Sequence, residues 1–532
     1  MKKKKVFRVA IFLTFYIIIG LFLISIGFAS GHNILMNAIF GEGSHFLCAA
    51  SVGERLVGQG HNVTFLISNA YAHRATDPKY SNLFEFEIFR HAFPVEAVHE
   101  RYNAFTNRVF KSHMRSTGIM SDGPVADCDA LLADVEIMSR LRSSNFSVVY
   151  YDITWLCPML IAKHLQIPYI AQSALSSPCT ITGSSTLSYS LAFVPVMRTG
   201  FSNKMNFRNR VVNLFAYIRM QYFFGYSHSQ YDKLKHKYNI APYTSIPQLI
   251  AQSELFLVNT DFSVEFPCAI PPNVIPVGGL TTRPSLPLPG DLQDFMQSSG
   301  QDGVIVCTFG TYLTTIPIQI LETFLNAFGR LPQKVIFQLS TIPPGISLPS
   351  NVHTSPWLPQ NDLLGHAKTR AFFFHGGNNG FYEAVYHAVP MAVVPLYSDQ
   401  YDTGAKVDAH RIGTVIDKLS LTEDSIYSAL REITTKVSYK RNIQRLSAMF
   451  RDRPMSPAEK AAFWIDHVIK HGGDQYRMPS VDLNFIERNL IDVLFFAIIC
   501  LVSGLFFFLM MGKIVFKVIV HAISGSIKVK KE

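Results

Sequence analysis

Five polar side chains are threaded through an otherwise apolar run, FFFHGGNNGFYEAVYHAVPMAVVPLYSDQ, at residues 372–400: His375, Asn379, Glu383, Asp399 and Gln400. If a strand ends near His375 and a helix begins near Asn378, the unpaired N–H groups of that helix's first turn form an anion site. Gly376 and Gly377 allow close backbone approach to a bulky anion, and the His375 imidazole can donate to the same group. Asn379 and Glu383, four apart, share one helical face. A carboxylate only accepts hydrogen bonds, so Glu383, one turn beyond a phosphate, suits the donating hydroxyls of a ribose. Asp399 and Gln400 follow the next apolar run and offer the acceptors and donors that a sugar ring needs. Upstream, SPWLPQNDLLGH sets Trp357 and Gln360 just after another strand-like run. An indole face stacks on a planar base, and an amide reads its edge. Gly310 and Thr311 add a tight turn with a hydroxyl after the run 304–309. Singly, each of these residues also fits a turn, a cap or core packing. Together, at the ends of successive strands, they point to a nucleotide-sugar-like ligand.

Such residues need a scaffold that delivers strand ends to one place. Apolar strand-like runs at 33–40, 63–68, 147–152 and 168–172 alternate with helix-like stretches at 44–58 and 156–165. After a Pro-, Gly- and Ser-rich stretch at 281–300, the alternation resumes with runs at 304–309, 334–339, 370–375 and 391–396. Alternation of this kind signals βαβ units and parallel sheets, whose ligands sit outside the carboxyl ends of the strands. The expected fold class is α/β in two halves, 31–280 and 301–470, with 281–300 as linker or surface loop. The aromatic and basic segment 205–226 reads either as a core helix or as one lying on a membrane.

Composition adds the bilayer. In 532 residues, 48% are hydrophobic, 13% aromatic and only 16% charged. Residues 1–30 place a lysine-rich start before a long apolar run, a signal peptide or signal anchor. Val493 to Met511 is an uncharged run of 19 residues, roughly 28 Å of helix and enough to span. The transmembrane helix is expected at 490–511 and a cytosolic basic tail at 512–532, since Lys513 and Lys517 follow the span. Lys528 and Lys530 in that tail resemble a dilysine signal for the endoplasmic reticulum membrane, with the large domains lumenal. Seven cysteines leave room for one or two bridges and do not make a disulfide framework. Asn62 and Asn145 head glycosylation sequons. The net charge of +10 resides largely in the tails, so no nucleic-acid partner is expected.

The run WLPQNDLLGHAKTRAFFFHGGNNGFYEAVYHAVPMAVVPLYSDQ resembles the signature of the UDP-glycosyltransferases over more than forty residues with its spacing intact. The resemblance implies the GT-B fold, two Rossmann-like domains facing a cleft, and an inverting transfer. It also implies roles. Trp357 would stack on uracil and Gln360 would bond to the base or ribose. His375, Asn379 and Thr311, with Gly377 giving room, would hold the diphosphate. Glu383 would take the ribose, and Asp399 and Gln400 the transferred sugar. Ala367, Phe374 and Ala388 depart from the residues usual at their places but flank the polar set.

Transfer of a sugar to a hydroxyl needs a base, and histidine suits that work. The first strand ends in GEGSH, and the resemblance makes His45 the general base, where the residue alone also reads as part of a helix cap. In VVYYDITWLCPMLIA, Asp152 ends a strand five residues before Cys157 and resembles the family's supporting carboxylate; alone it reads as a helix cap. FVPVMRTGFSNKMNFRNRVVN is similar to the family's membrane-proximal acceptor region. The expected partners are a UDP-sugar co-substrate, a small lipophilic acceptor and the bilayer, with a homo-oligomer left open. No metal cofactor is expected, because no carboxylate cluster stands out. Two rival readings are a non-catalytic lumenal protein binding lipid or nucleotide sugar, and an oxidoreductase; the latter lacks a Gly-x-Gly-x-x-Gly after its first strand.

Overall fold

A computed structural model describes residues 31–38, 43–110, 123–175, 190–311, 313 and 315–529. The expected signal segment 1–30 and the last residues of the basic tail lie outside these. The first strand, β1 (Asn33–Met36), leads to α1 (Gly43–Gly58), β2 (Asn62–Ser68), β3 (Glu85–Phe89) and β4 (Val148–Asp152). Then come α2 (Cys157–Leu165), β5 (Tyr169–Ser173), the long α3 (Phe207–Lys237), β6 (Phe256–Val258) and β7 (Val274–Pro276). These seven strands form one parallel sheet in the order β3-β2-β1-β4-β5-β6-β7.

The second sheet has six parallel strands: β8 (Val304–Thr308), β9 (Lys334–Gln338), β10 (Val352–Ser355), β11 (Thr369–Phe374), β12 (Met391–Val393) and β13 (Gly413–Val415). Their order is β10-β9-β8-β11-β12-β13. The helices α4 (Ile318–Gly329), α5 (Gln360–Gly365), α6 (Asn378–Tyr386) and α7 (Gln400–His410) alternate with them.

Alternating residues of each strand feed cores on opposite faces, which is why the strands read as unbroken apolar runs. Leu35, Val149 and Tyr151 join one core of the first sheet, and Ile34, Met36, Val148 and Tyr150 the other. In the second sheet Cys307, Phe337 and Phe373 face one way, and Val306, Ile336, Phe372 and Phe374 the other. Two expectations need adjusting. The stretch 281–300 contains a helix, Gly290–Gln297, because Leu292 and Met296 fall four apart and both bury against the second sheet. The second half does not close on itself either: α8 (Pro457–His471) buries Ala461, Ala462, Ile465 and Val468 in a core of the first sheet.

A disulfide joins Cys128 to Cys157 at the start of α2. Asn62 and Asn145 are both exposed. Segment 205–226 is not a core helix: Phe207, Phe215 and Tyr222 on α3 are 75%, 65% and 80% exposed. Separately, α9 (Ile491–Val529) carries a 34-residue stretch, Ile491–Ser524, long and apolar enough to cross a membrane, with a mean hydropathy of 2.9 over its most apolar 18 residues.

Candidate active site

In each sheet the strand order reverses direction at one place, between β1 and β4 in the first and between β8 and β11 in the second. The crevice at the carboxyl end of such a switch point is where α/β sheets hold ligands. At the first switch point, β1 feeds α1, whose third residue is His45, and Asp152 is the last residue of β4. His45 Nδ1 lies 2.5 Å from Asp152 Oδ2. The carboxylate's other oxygen accepts from the Thr154 N–H at 2.9 Å and the Thr154 hydroxyl at 2.5 Å. Asp152 is fully buried and His45 nearly so.

An ionised carboxylate only accepts, so Nδ1 carries the proton and Nε2 keeps its lone pair. Burial pulls the His45 pKa down. The charge and hydrogen bond of Asp152, with a smaller pull from the Asp399 charge, outweigh burial and hold it above the ordinary histidine value. The pair can therefore accept a proton at Nε2 and stabilise the resulting imidazolium.

At the second switch point Thr308, ending β8, is level with Phe374, ending β11. His375 follows at once and is squeezed between glycines. A Cβ on Gly310 would sit 2.8 Å from its ring, and one on Gly377 2.5 Å from its Nε2. Gly310 and Gly376 also hold φ of +84° and +90°, which side chains resist. The glycines of this motif thus make room for the histidine ring. Burial pulls the His375 pKa down to about 4, against a small opposing pull from the Thr308 backbone. His375 is a neutral imidazole at physiological pH, a hydrogen-bonding group and not a cation.

Glu383, on α6, is buried with both oxygens engaged. The Thr281 hydroxyl donates to Oε1 and the Gln360 amide to Oε2, each at 2.7 Å. Burial raises its pKa to about 7, with those two hydrogen bonds pulling the other way. Gln400 Oε1 accepts from the Leu396 and Tyr397 N–H groups at 2.9 and 3.0 Å, which leaves its amide nitrogen as the donor for a ligand. Among the described residues no three His, Cys, Asp or Glu side chains are grouped to share a metal.

Two cavities meet here. The larger, about 1020 Å³, is lined by Thr311, Trp357, Gln360, His375, Gly377, Asn379 and Glu383. The smaller, about 310 Å³, is lined by His45, Asp399 and Gln400, and by Phe223, Phe224 and Tyr231 of α3. Ser44, His375, Gly377, Asn378, Asn379 and Tyr397 line both. All the residues singled out from sequence thus lie in one connected region, with Asp152 directly beneath His45. Asn379 differs from expectation in one respect. Its amide donates to the Ser44 carbonyl at 3.1 Å, and its oxygen accepts from Cys48 Sγ at 3.2 Å and Asn259 Nδ2 at 3.1 Å. Its side chain therefore ties the second domain to the first at the residue before His45.

Three residues of this region went unread in the sequence. Asn378 Nδ2 donates to the carbonyls of Ala174 and Asn259 in the other domain, at 2.9 and 3.0 Å. Thr281 and Arg198 touch or line the site from segments that carried no polar periodicity. Their only signal was adjacency to a recognised stretch, because each acts through a partner over 100 residues away.

Residues 34–525 match a family model described as "UDP-glucoronosyl and UDP-glucosyl transferase". The chain is 31% identical to the mouse UDP-glucuronosyltransferase 2A1 over 503 residues, covering 90% of this chain and 93% of that protein. It is 29% identical to the human UDP-glucuronosyltransferase 2B7 over 504 residues, covering 92% and 94%. Among solved structures, a glycotransferase of kitacinnamycin superposes with a TM-score of 0.58 at 19% identity, covering 82% of this chain and 99% of that one. A Polygonum tinctorium UDP-glucosyltransferase gives 0.58 at 15% identity, covering 83% and 99%. These last two are similar in fold.

Proposed function

The chain belongs to the UDP-glucuronosyl and UDP-glucosyl transferase family and is a UDP-sugar-dependent glycosyltransferase, and from that premise we propose that it inverts the sugar's anomeric centre while moving a hexosyl or glucuronosyl group onto a hydroxyl of a small lipophilic acceptor. The observation that carries this reading is the His45–Asp152 pair, with His45 lining the smaller, aromatic-walled cavity where it adjoins the larger one. UDP occupies the larger cavity, with its uracil on Trp357 and its ribose on Glu383 and Gln360. The diphosphate meets the first-turn N–H groups of α6, neutral His375 and Thr311, so its leaving charge is stabilised by fixed donors. The sugar reaches into the smaller cavity, where Asp399 accepts from its hydroxyls and the Gln400 amide donates to them. The acceptor lies against Phe223, Phe224 and Tyr231. His45 Nε2 takes the hydroxyl proton as the oxygen attacks the anomeric carbon on the face opposite UDP.

α9 anchors the protein in the endoplasmic reticulum membrane with both domains lumenal. A non-catalytic binder would not need His45 held by Asp152. UDP release, measured with a panel of phenols and sterols and three labelled UDP-sugars, tests the activity. Acceptor-dependent release is the expected result, and nucleotide-sugar binding without release by any pair would remove it.

The ribose role of Glu383 makes donor affinity depend on pH. Hydroxyls donate better to the carboxylate than to the protonated acid, whose pKa lies at about 7. Lowering the pH through 7 therefore weakens UDP-sugar binding, by up to roughly tenfold per unit below it. In Glu383→Gln that slope should be absent. Titrating UDP-sugar affinity between pH 8 and 6 on both proteins decides the matter, and identical slopes would reject the assignment.

A further inference from the structure

Arg198 lines the smaller cavity together with His45, Asp399 and Gln400. Its guanidinium makes no hydrogen bond and no ion pair among the described residues, and its Nε is buried without a partner. The side chain as a whole is half-buried, but a guanidinium N–H shut off from water without an acceptor is costly, and proteins normally avoid it unless something else supplies the partner. The backbone that presents it is unusual too. Arg198 has φ of +74°, a left-handed conformation that a long side chain seldom adopts. Asp402, from the other domain, holds that turn in place: its carboxylate accepts from the Arg198 N–H at 2.8 Å and the Gly200 N–H at 3.1 Å. A strained turn pinned by a distant carboxylate, presenting an unpartnered cation to a cavity, has the character of a functional site.

The shape of the group narrows the ligand. A guanidinium presents a planar fork of donors that matches a carboxylate or a phosphate in two parallel bonds. Thr311, Trp357 and Gln360 line only the larger cavity, which Arg198 does not reach, while the α6 N-terminus borders both. In its own cavity Arg198 keeps company with Asp399 and Gln400. The charges of Asp399 and Asp402 partly offset the effect of burial on Arg198, while Arg219 on α3 adds to that effect. Arg198 and Arg219 thus bring two positive charges near the same place.

Resting on the reading that Asp399 and Gln400 hold the transferred sugar, we propose that Arg198 pairs with the C6 carboxylate of a uronosyl donor and makes the protein favour a UDP-uronic acid over a UDP-hexose. One cation then takes the charged edge of the sugar, and Asp399 accepts from the neutral hydroxyl edge. A neutral hexose offers Arg198 no countercharge.

Equilibrium binding of UDP-glucuronic acid, UDP-glucose and UDP to the full-length protein in detergent micelles tests this on wild type, R198Q and R198K. A charge-assisted bidentate pair is worth about 1.5–3 kcal/mol, so the UDP-glucuronic acid over UDP-glucose affinity ratio should fall roughly 10- to 100-fold in R198Q. R198K should recover part of it, as a point charge does. UDP binding, whose Thr311, Trp357 and Gln360 line only the other cavity, shows that the variants are folded. An unchanged ratio in R198Q overturns the proposal, and so does a wild type that binds both donors equally. If activity instead falls only with acceptors that carry a carboxylate, the donor assignment is overturned in favour of the acceptor. Absent UDP binding in wild type would remove the nucleotide site and this inference with it. Absent transfer with intact binding removes only the catalytic reading, and the ratio still decides.

Discussion

His45→Ala is expected to lower kcat by roughly 10²- to 10⁴-fold, the range that a positioned general base contributes. UDP affinity should stay in place, because His45 does not line the larger cavity proposed for the nucleotide. An alcohol attacks an anomeric carbon poorly until its proton is leaving, and among the groups lining the smaller cavity His45 is the one proposed for that transfer. Its Nδ1 is held by Asp152, its Nε2 is left with a lone pair, and its pKa is held above the ordinary value. His228 in the same cavity is a poorer candidate. Burial lowers its pKa against a weaker pull from Asp232, and it has no comparable carboxylate bond. Rates and nucleotide affinities measured side by side on wild type and His45→Ala check this. Comparable turnover by the two proteins would move the base elsewhere, and lost UDP affinity would show that the substitution disturbs the whole cleft.

The fold was legible because parallel strands buried on both faces leave unbroken apolar runs, and the thirteen strands among the described residues left enough of them to read two α/β halves. The strand-end residues were legible for a related reason. A polar residue that closes such a run lies at the carboxyl end of its strand, as Asp152 does at the end of β4 and His375 just after β11. What stayed hidden were choices made across the cleft. The resemblance assigns Asn379 to the diphosphate, and nothing local says that its amide also reaches Ser44, 335 positions away in sequence. Similarly, nothing local in VMRTG announces that Asp402 will pin its backbone, because that pairing spans 204 positions. Helix α8 was assigned to the second half by sequence order alone. Burial of Ala461 and Ile465 against the first sheet is a matter of shape, which periodicity does not report.

In the proposed mechanism those cross-cleft contacts matter, since one of them ties the second domain to the residue before His45, and Asp152 holds His45 itself. Asp152→Asn is expected to cost on the order of 10²- to 10⁴-fold in kcat, and its pH profile separates an electrostatic role from a structural one. In wild type, burial pulls His45 down and the Asp152 charge and hydrogen bond more than restore it. Asparagine keeps an oxygen that can accept from Nδ1 but removes the charge, so burial then prevails and the His45 pKa falls. The rate depends on neutral His45, so the acid limb of kcat/KM should move to lower pH in the variant. The deficit relative to wild type therefore narrows as the solution is acidified. The plateau stays low because the imidazolium formed during proton transfer has lost its countercharge. A carboxylate that merely held the ring in place would give the same fractional loss at every pH, with the limb unmoved. That result would leave Asp152 as a scaffold and place the tuning of His45 elsewhere, with Asp399 the next group whose charge reaches it.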